Sequence, residues 1–285
     1  MRSERRLALK VMHLTTVDMS LVLLIGPQLD AVRQRGGVAT GVSAPGPFVS
    51  TLEARGIRHI ALKSSTRRRS LLADLKTGVE LWKVLRAERP TILHTHNPKP
   101  GLYGRVVGRL AGVPIVVNTV HGLYATPDDP AAKRALVYAL EWVASRCSHA
   151  ELVQNPEDLA LMKRLRLAPR RRLHLLGNGV DVERFASPSR DGRARVRAEW
   201  GVSHDTIVVG TVGRLVAEKG YPELFEAVRG LTGTRLVAIG PTDPEKRDAL
   251  DPAVMDRAAA DGTVFAGFRE DMADVYAAFD IFIHT

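Results

Sequence analysis

Apolar residues fall in two rhythms along this chain, short unbroken runs and longer stretches with helical spacing. Runs at 9–15, 38–43, 57–62, 91–94, 114–119 and 150–153 predict strands, with helical segments between them. The clearest helix is 71–88, where Leu71, Leu75, Val79, Trp82 and Leu85 are spaced to cover a sheet. Residues 21–35 read as another helix, after the first strand. A second strand-helix series starts near Ile207 and continues through strands near Leu236, Thr263 and Ile281. Such alternation implies parallel sheets with helices on both faces, an α/β doubly wound architecture. Loop chemistry at 187–192 (Ser-Pro-Ser-Arg-Asp-Gly) predicts a boundary between a first domain, 1–187, and a second, 188–285. No solenoid repeat or low-complexity tract interrupts this order.

Composition agrees with a globular chain. At 285 residues, 45% hydrophobic and 25% charged, it is long enough for two domains. The one cysteine, Cys147, makes no internal disulfide, which fits a reducing cytoplasm. A basic start (1–6) followed by an apolar run (19–27) raises a signal peptide. Lys10, His13 and Asp18 interrupt that pattern, and a strand followed by a helix explains it better. No stretch approaches the ~20 apolar residues of a membrane span.

The net charge of +10 is uneven. Residues 1–185 hold 29 Lys and Arg against 15 Asp and Glu, and the remainder 12 against 16. Arg67–Arg69 and Arg170–Arg172 are the densest points, with Lys163, Arg164 and Arg166 just before the second. One reading is a solvated face; the other is attraction to anionic lipid or a phosphorylated acceptor. Nucleic acid is not expected as a partner, because aromatics are only 5% and no recognition helix, zinc or RNA-binding motif is present.

Ligands of open parallel sheets sit beyond the carboxyl ends of the strands, so the loops there carry the candidate chemistry. Gly213-Arg214-Leu215-Val216-Ala217-Glu218-Lys219-Gly220 follows an apolar run and leads into a helical segment. Glycines that let the backbone approach, free N–H groups at a helix start and two cations together suit a diphosphate. Read alone, the two cations are also what a solvated strand-to-helix loop carries, the second reading of this motif. In the first half, His94 and His96 are two apart and share a face, but spacing suggests no third metal ligand, so no metal is expected. Gly101, Gly104 and Gly108 allow close packing on a sheet. A substrate role for their loop is the second reading, with His96, Asn97 and Lys99 as acceptor-side candidates. His121, taken alone, reads as a hydrogen-bonded structural histidine.

Taken in order, Gly177-Asn178-Gly179-Val180-Asp181, the Arg214 loop, the strand 236–240 and Val264-Phe265-Ala266-Gly267-Phe268 resemble the retaining glycosyltransferases of family four, which have the GT-B fold. The resemblance covers nearly the whole chain. It implies two Rossmann-like domains, the first on the acceptor side and the second for the donor, a nucleotide-diphosphate sugar. The acceptor would be a saccharide or a lipid-linked one, and the site cytoplasmic or peripheral at the inner, anionic face of the membrane. His121 would be catalytic, lining the cleft against the donor sugar. Gly213, Arg214 and Lys219 would bind the diphosphate, and Gly267, Phe268 and Arg269 would lie against the base. No Asp-x-Asp occurs, so neither metal nor cofactor is expected.

Two departures qualify the resemblance. Family members continue beyond Thr285 with a Ser-x-x-Glu-Gly-like turn and two glutamates separated by seven residues, so the second domain is expected to be incomplete and transfer impaired. Thr15–Ser20 also stands where a glycine-rich loop often follows the first strand. The alternatives are a non-catalytic nucleotide- or acceptor-binding fragment and a nucleotide-sugar epimerase of the same architecture.

Overall fold

The computed structural model describes residues 9–66, 70–96, 98–125, 129–243, 246 and 248–284. Arg67–Arg69 and Asn97 therefore lie outside the described residues. The chain divides into two compact units, 1–178 and 179–285.

The first unit runs β1 (Lys10–Val17), α1 (Asp18–Leu23), α2 (Gly26–Gln34), β2 (Val38–Ala44), α3 (Val49–Ala54), β3 (Arg58–Ala61), α4 (Leu71–Glu88), β4 (Ile92–His96), α5 (Pro98–Leu110), β5 (Ile115–Val120), α6 (Ala131–Ser145), β6 (Ala150–Val153), α7 (Pro156–Arg164) and β7 (Leu173–Leu175). The strands form one parallel sheet in the order β3-β2-β1-β4-β5-β6-β7. The order reverses between β1 and β4, which makes their carboxyl ends the switch point where such sheets bind ligands. One face packs Met12, Leu14, Leu93 and Val116 against Leu81 and Leu85 of α4. Leu21, Ile25, Leu29 and Leu52 from α1 to α3 form a separate core. Helix α5 lies close on the sheet through its glycines: a Cβ on Gly104 would stand 2.7 Å from Leu14 and 2.8 Å from Thr95.

Three expectations change. The helix expected over 21–35 is broken, because Pro27 lacks an N–H and its ring excludes a continuous turn; Ile25, at φ −120° and ψ 7°, starts a new helix. The side of α4 on the sheet is Thr77, Leu81 and Leu85, whereas Leu71, Leu75, Val79 and Trp82 are exposed. Thr77 is buried without cost to its hydroxyl, which donates to the Ala73 carbonyl at 2.8 Å. Where the glycine-rich loop was sought, the Asp18 carboxylate instead accepts from the N–H of Met19 (2.9 Å) and of Phe48 (2.7 Å), tying the loop after β1 to the one after β2.

The second unit holds α8 (Val182–Ala186), α9 (Gly192–Glu199), β8 (Ile207–Val212), α10 (Tyr221–Val228), β9 (Thr234–Ile239), α11 (Pro252–Ala260), β10 (Val264–Gly267), α12 (Met272–Ala278) and β11 (Ile281–Phe282). Its parallel sheet runs β10-β9-β8-β11, so β8 stands at a second reversal. The unit begins before the 187–192 loop because Arg184 and Ser189 are both tied to its last helices: Arg184 donates to the Glu270 carbonyl and Ser189 to Asp274. Both units are Rossmann-like. No described helix is long and apolar enough to cross a membrane.

Candidate active site

Four histidines gather at the switch point of the first sheet. The strand register pairs His13 on β1 with His94 on β4, so their side chains share a face, and His96 follows two residues on. His121 begins the loop after β5. His13 Nδ1 lies 3.1 Å from His96 Nε2, and His96 Nδ1 lies 3.1 Å from His121 Nε2. His94 Nε2 meets the Thr119 hydroxyl at 2.8 Å.

Burial decides the charge of these rings. It lowers the pKa of His13 to about 4. His94 and His96 fall well below the usual value through burial and then through their histidine neighbours. His121 is lowered by burial, with Gln154 opposing. At neutral pH the cluster is a set of neutral imidazoles.

A neutral imidazole carries one N–H, so each of the two 3.1 Å contacts holds one proton and the chain has a direction. If His13 donates, His121 is left with its N–H at Nδ1. If His121 donates, its Nδ1 is a bare acceptor. The two ends, His13 Nε2 and His121 Nδ1, are buried and make no hydrogen bond among the described residues. His13 and His96 thus set which form His121 presents.

Among the described residues, His13, His94 and His96 are the group able to hold a metal, with nitrogens within 4.8 Å of one another. His13 is the third residue that spacing did not suggest. The rings lie against one another: the centroids of His94 and His96 are 4.1 Å apart and tilted, those of His13 and His94 4.9 Å apart, and those of His13 and His96 5.4 Å apart. Two histidines on one tetrahedral zinc, with Zn–N bonds of about 2.0–2.1 Å, place their ring centres roughly 5 Å apart, a spacing that the two pairs with His13 have and the His94–His96 pair does not.

The other acceptor-side candidates divide. His96 has no exposed surface and reaches outward only through His121. Lys99 Nζ donates to Asp74 Oδ1 at 2.8 Å and to the Thr66 carbonyl at 3.2 Å, joining α5 to α4 and to the loop after β3.

Sequence reasoning missed the support beneath this site. Arg105, 1% exposed on α5, binds Glu141 at 2.7 and 2.8 Å and Glu151 at 2.8 Å. Glu151 also accepts from Asn118 Nδ2 at 2.8 Å and from Ser148. Burial raises its pKa against the pull of Arg105. The network joins α5, β5, α6 and β6. Its trace in the sequence is an arginine at helical spacing from Gly101 and Gly108.

In the second unit, the loop after β8 is held by its neighbours. Gly213 N–H donates to the Ile239 carbonyl at 2.9 Å, and Leu215 N–H to the Pro241 carbonyl at 3.0 Å. The Tyr221 hydroxyl donates to the Gly213 carbonyl at 3.0 Å. Gly240 adopts φ +143°, and a Cβ there would stand 1.9 Å from the Gly213 carbonyl oxygen, so only glycine fits. Gly240 N–H reaches the Gly267 carbonyl at 2.8 Å. Gly213, Gly240 and Gly267 thus bring three strand-end loops together.

The loop enters a single 3-10 turn, Ala217–Lys219, before α10 begins at Tyr221. Arg214 is bound to Asp243 at 3.0 Å and lies 3.7 Å from Glu218. Lys219 lines a small cavity with Thr211, Tyr221 and His284. Phe268 is 43% exposed. Arg269 is bound to Glu199 at 2.6 Å and to Asp271 at 2.7 and 2.8 Å, within an ion-pair cluster that includes Arg195 and Asp274.

Comparison with known proteins places these features in a family. Residues 30–184 match Glycosyltransferase Family 4, and residues 206–285 match Glycosyl transferases group 1. An Escherichia coli protein named UDP-Gal:alpha-D-GlcNAc-diphosphoundecaprenol alpha-1,3-galactosyltransferase is 31% identical over 84% of this chain and 62% of its own. The Staphylococcus aureus capsular polysaccharide biosynthesis glycosyltransferase CapM is 26% identical over 83% and 62%. The chain therefore spans about three fifths of the length of these relatives. Anabaena HepE, solved with UDP and glucose, shares the fold at TM-score 0.73 and 18% identity, over 97% of this chain and 74% of its own. With the first match alone covering more than half of its residues, this chain belongs to glycosyltransferase family 4.

Proposed function

We propose that the chain is the acceptor-side domain and part of the donor domain of a retaining, metal-independent glycosyltransferase. The donor is a nucleotide-diphosphate sugar, and the acceptor is a saccharide on a lipid carrier at an anionic membrane face. The observation that carries this reading is the loop after β8, where glycines from three strand ends converge beside Arg214 and Lys219 at the switch point of the second sheet. Breaking the bond from sugar to diphosphate leaves added negative charge on the leaving group, and fixed cations favour that state over the bound donor. Retention follows if the acceptor hydroxyl attacks on the face the diphosphate leaves, with a diphosphate oxygen taking its proton. His121, the catalytic candidate, would act in the tautomer set by His96 and His13.

The activity for which the Escherichia coli relative is named supports a UDP-sugar and a diphosphate-linked lipid acceptor. UDP in HepE supports the donor class. The test is calorimetric titration of nucleoside diphosphates into this chain and its Arg214→Ala and Lys219→Ala variants. Each variant is expected to lose about 1.5–3 kcal/mol, as for a charge-assisted contact. Unchanged affinity in both would overturn the donor assignment.

A further inference from the structure

Helices α4 and α5 pack side by side, and part of the surface they turn to solvent is apolar. On α4, Leu71 is 89% exposed, Leu72 75% and Leu75 69%; Val79, Trp82 and, at the end of α5, Leu110 are exposed beside them. A groove of about 550 Å³ runs between the helices, lined by Leu75, Val79 and Trp82 on one side and Leu102, Val106 and Leu110 on the other. It passes Asp74, which is bound to Lys99 in the first turn of α5. An apolar surface this continuous marks a contact with another phase or molecule.

The charges around it choose between occupants. Every carboxylate of α4 is engaged: Asp74 with Lys99, Glu80 with the N–H groups of Lys63 and Ser64, and Glu88 with Arg58. Lys76, Lys83 and Arg86 stand exposed on the same helix. A two-fold contact between copies would set these cations against each other, since such an interface meets itself. An anionic lipid surface answers both features. Leucines enter the acyl boundary, a tryptophan sits at headgroup depth and the cations meet phosphates.

We propose that the α4–α5 face docks into an anionic bilayer leaflet, with Leu71, Leu72, Leu75 and Val79 below the headgroups and Lys76, Lys83 and Arg86 among the phosphates. The proposal rests on the reading of a lipid-linked acceptor above, and it assigns the membrane contact to this helix pair. Docking there brings the Lys99 end of α5 to the membrane, where the head of a lipid-linked acceptor lies.

The test is flotation of this chain with vesicles of phosphatidylcholine alone or with about one third phosphatidylglycerol. The unmodified chain should float with the anionic vesicles only. Leu75→Glu with Val79→Glu should reduce binding at least tenfold at low and high salt alike. Lys83→Glu with Arg86→Glu should reduce it chiefly at low salt, where the Debye length is long. Circular dichroism checks folding, and these exposed positions leave the buried side of α4 intact. Unchanged flotation in both variants overturns the proposal. So does a dimer of the unmodified chain that Leu75→Glu with Val79→Glu converts to monomer, because the face would then join two copies. Nucleoside diphosphate titration of the same variants separates the two readings. Loss of flotation with nucleotide binding retained supports docking by this face, whereas flotation without any nucleotide binding sinks the transferase and leaves the docking standing.

Discussion

Mild acid should unload the histidine cluster and with it the first unit. The folded pKa values of His13, His94 and His96 lie below the unfolded value of about 6.5, so the unfolded chain binds more protons at any pH between. Stability is therefore fully present above 6.5 and falls as pH drops below it, until the folded rings themselves take up protons, near 4 for His13. At pH 5.5 an unfolded imidazole is about 90% protonated while its folded counterpart stays neutral, which removes roughly 1.3 kcal/mol. His94 and His96 act in the same direction, against the ~5–15 kcal/mol that holds a domain. The depressed carboxylates Asp271 and Asp280 belong to the second unit and titrate below this window. Urea unfolding followed by circular dichroism at pH 7.5 and 5.5 measures the effect. His13→Leu, whatever its absolute stability, should lose part of the pH dependence. A midpoint for the first unit that does not move between pH 7.5 and 5.5 would refute the reasoning.

Three further outcomes follow from the geometry. Arg105→Ala leaves Glu151 buried and unpaired and should cost about 3–5 kcal/mol in urea unfolding of the first unit; a loss below about 1 kcal/mol would mean the network relaxes freely. Gly240→Ala pushes against the Gly213 carbonyl and should destabilise the second unit by at least about 1–3 kcal/mol in thermal unfolding, with nucleoside diphosphate binding weakened in parallel; normal values of both would show that the three glycine loops need not meet. Asp243→Asn releases Arg214 from its ion pair and should tighten nucleoside diphosphate binding by about 0.5–1 kcal/mol, whereas weaker binding would mean that Asp243 aims the arginine.

What the sequence disclosed follows the range of the forces involved. Strand-helix alternation is local, so the strands of both sheets and the full extent of α4 could be read from apolar runs. The strand at Leu173–Leu175 escaped notice because three residues carry no period. The side α4 turns to the sheet could not be read: this helix is apolar around most of its circumference, and Thr77 is made buriable by a bond to its own backbone. At the site, His94 and His96 were visible as a pair two apart, but His13 joins them only through pairing of β1 with β4. The cations of the β8 loop were legible as residues, whereas the binding of Arg214 to Asp243 is tertiary and left no local mark.

The placement of β1 bears on how this chain is made. Val17 ends β1 and Ile92 begins β4, the neighbour on its far side, so the partner strand is synthesised some 75 residues later. At about 5–20 residues per second, β1 waits roughly 4–15 seconds on the ribosome with one edge covered by β2 and the other open. That open edge carries Met12 and Leu14, the centre of the later core, and a bare strand edge is a template for wrong partners. Codon changes that slow translation between β3 and β4 lengthen this wait, and the yield of folded chain should fall with them although no amino acid has changed.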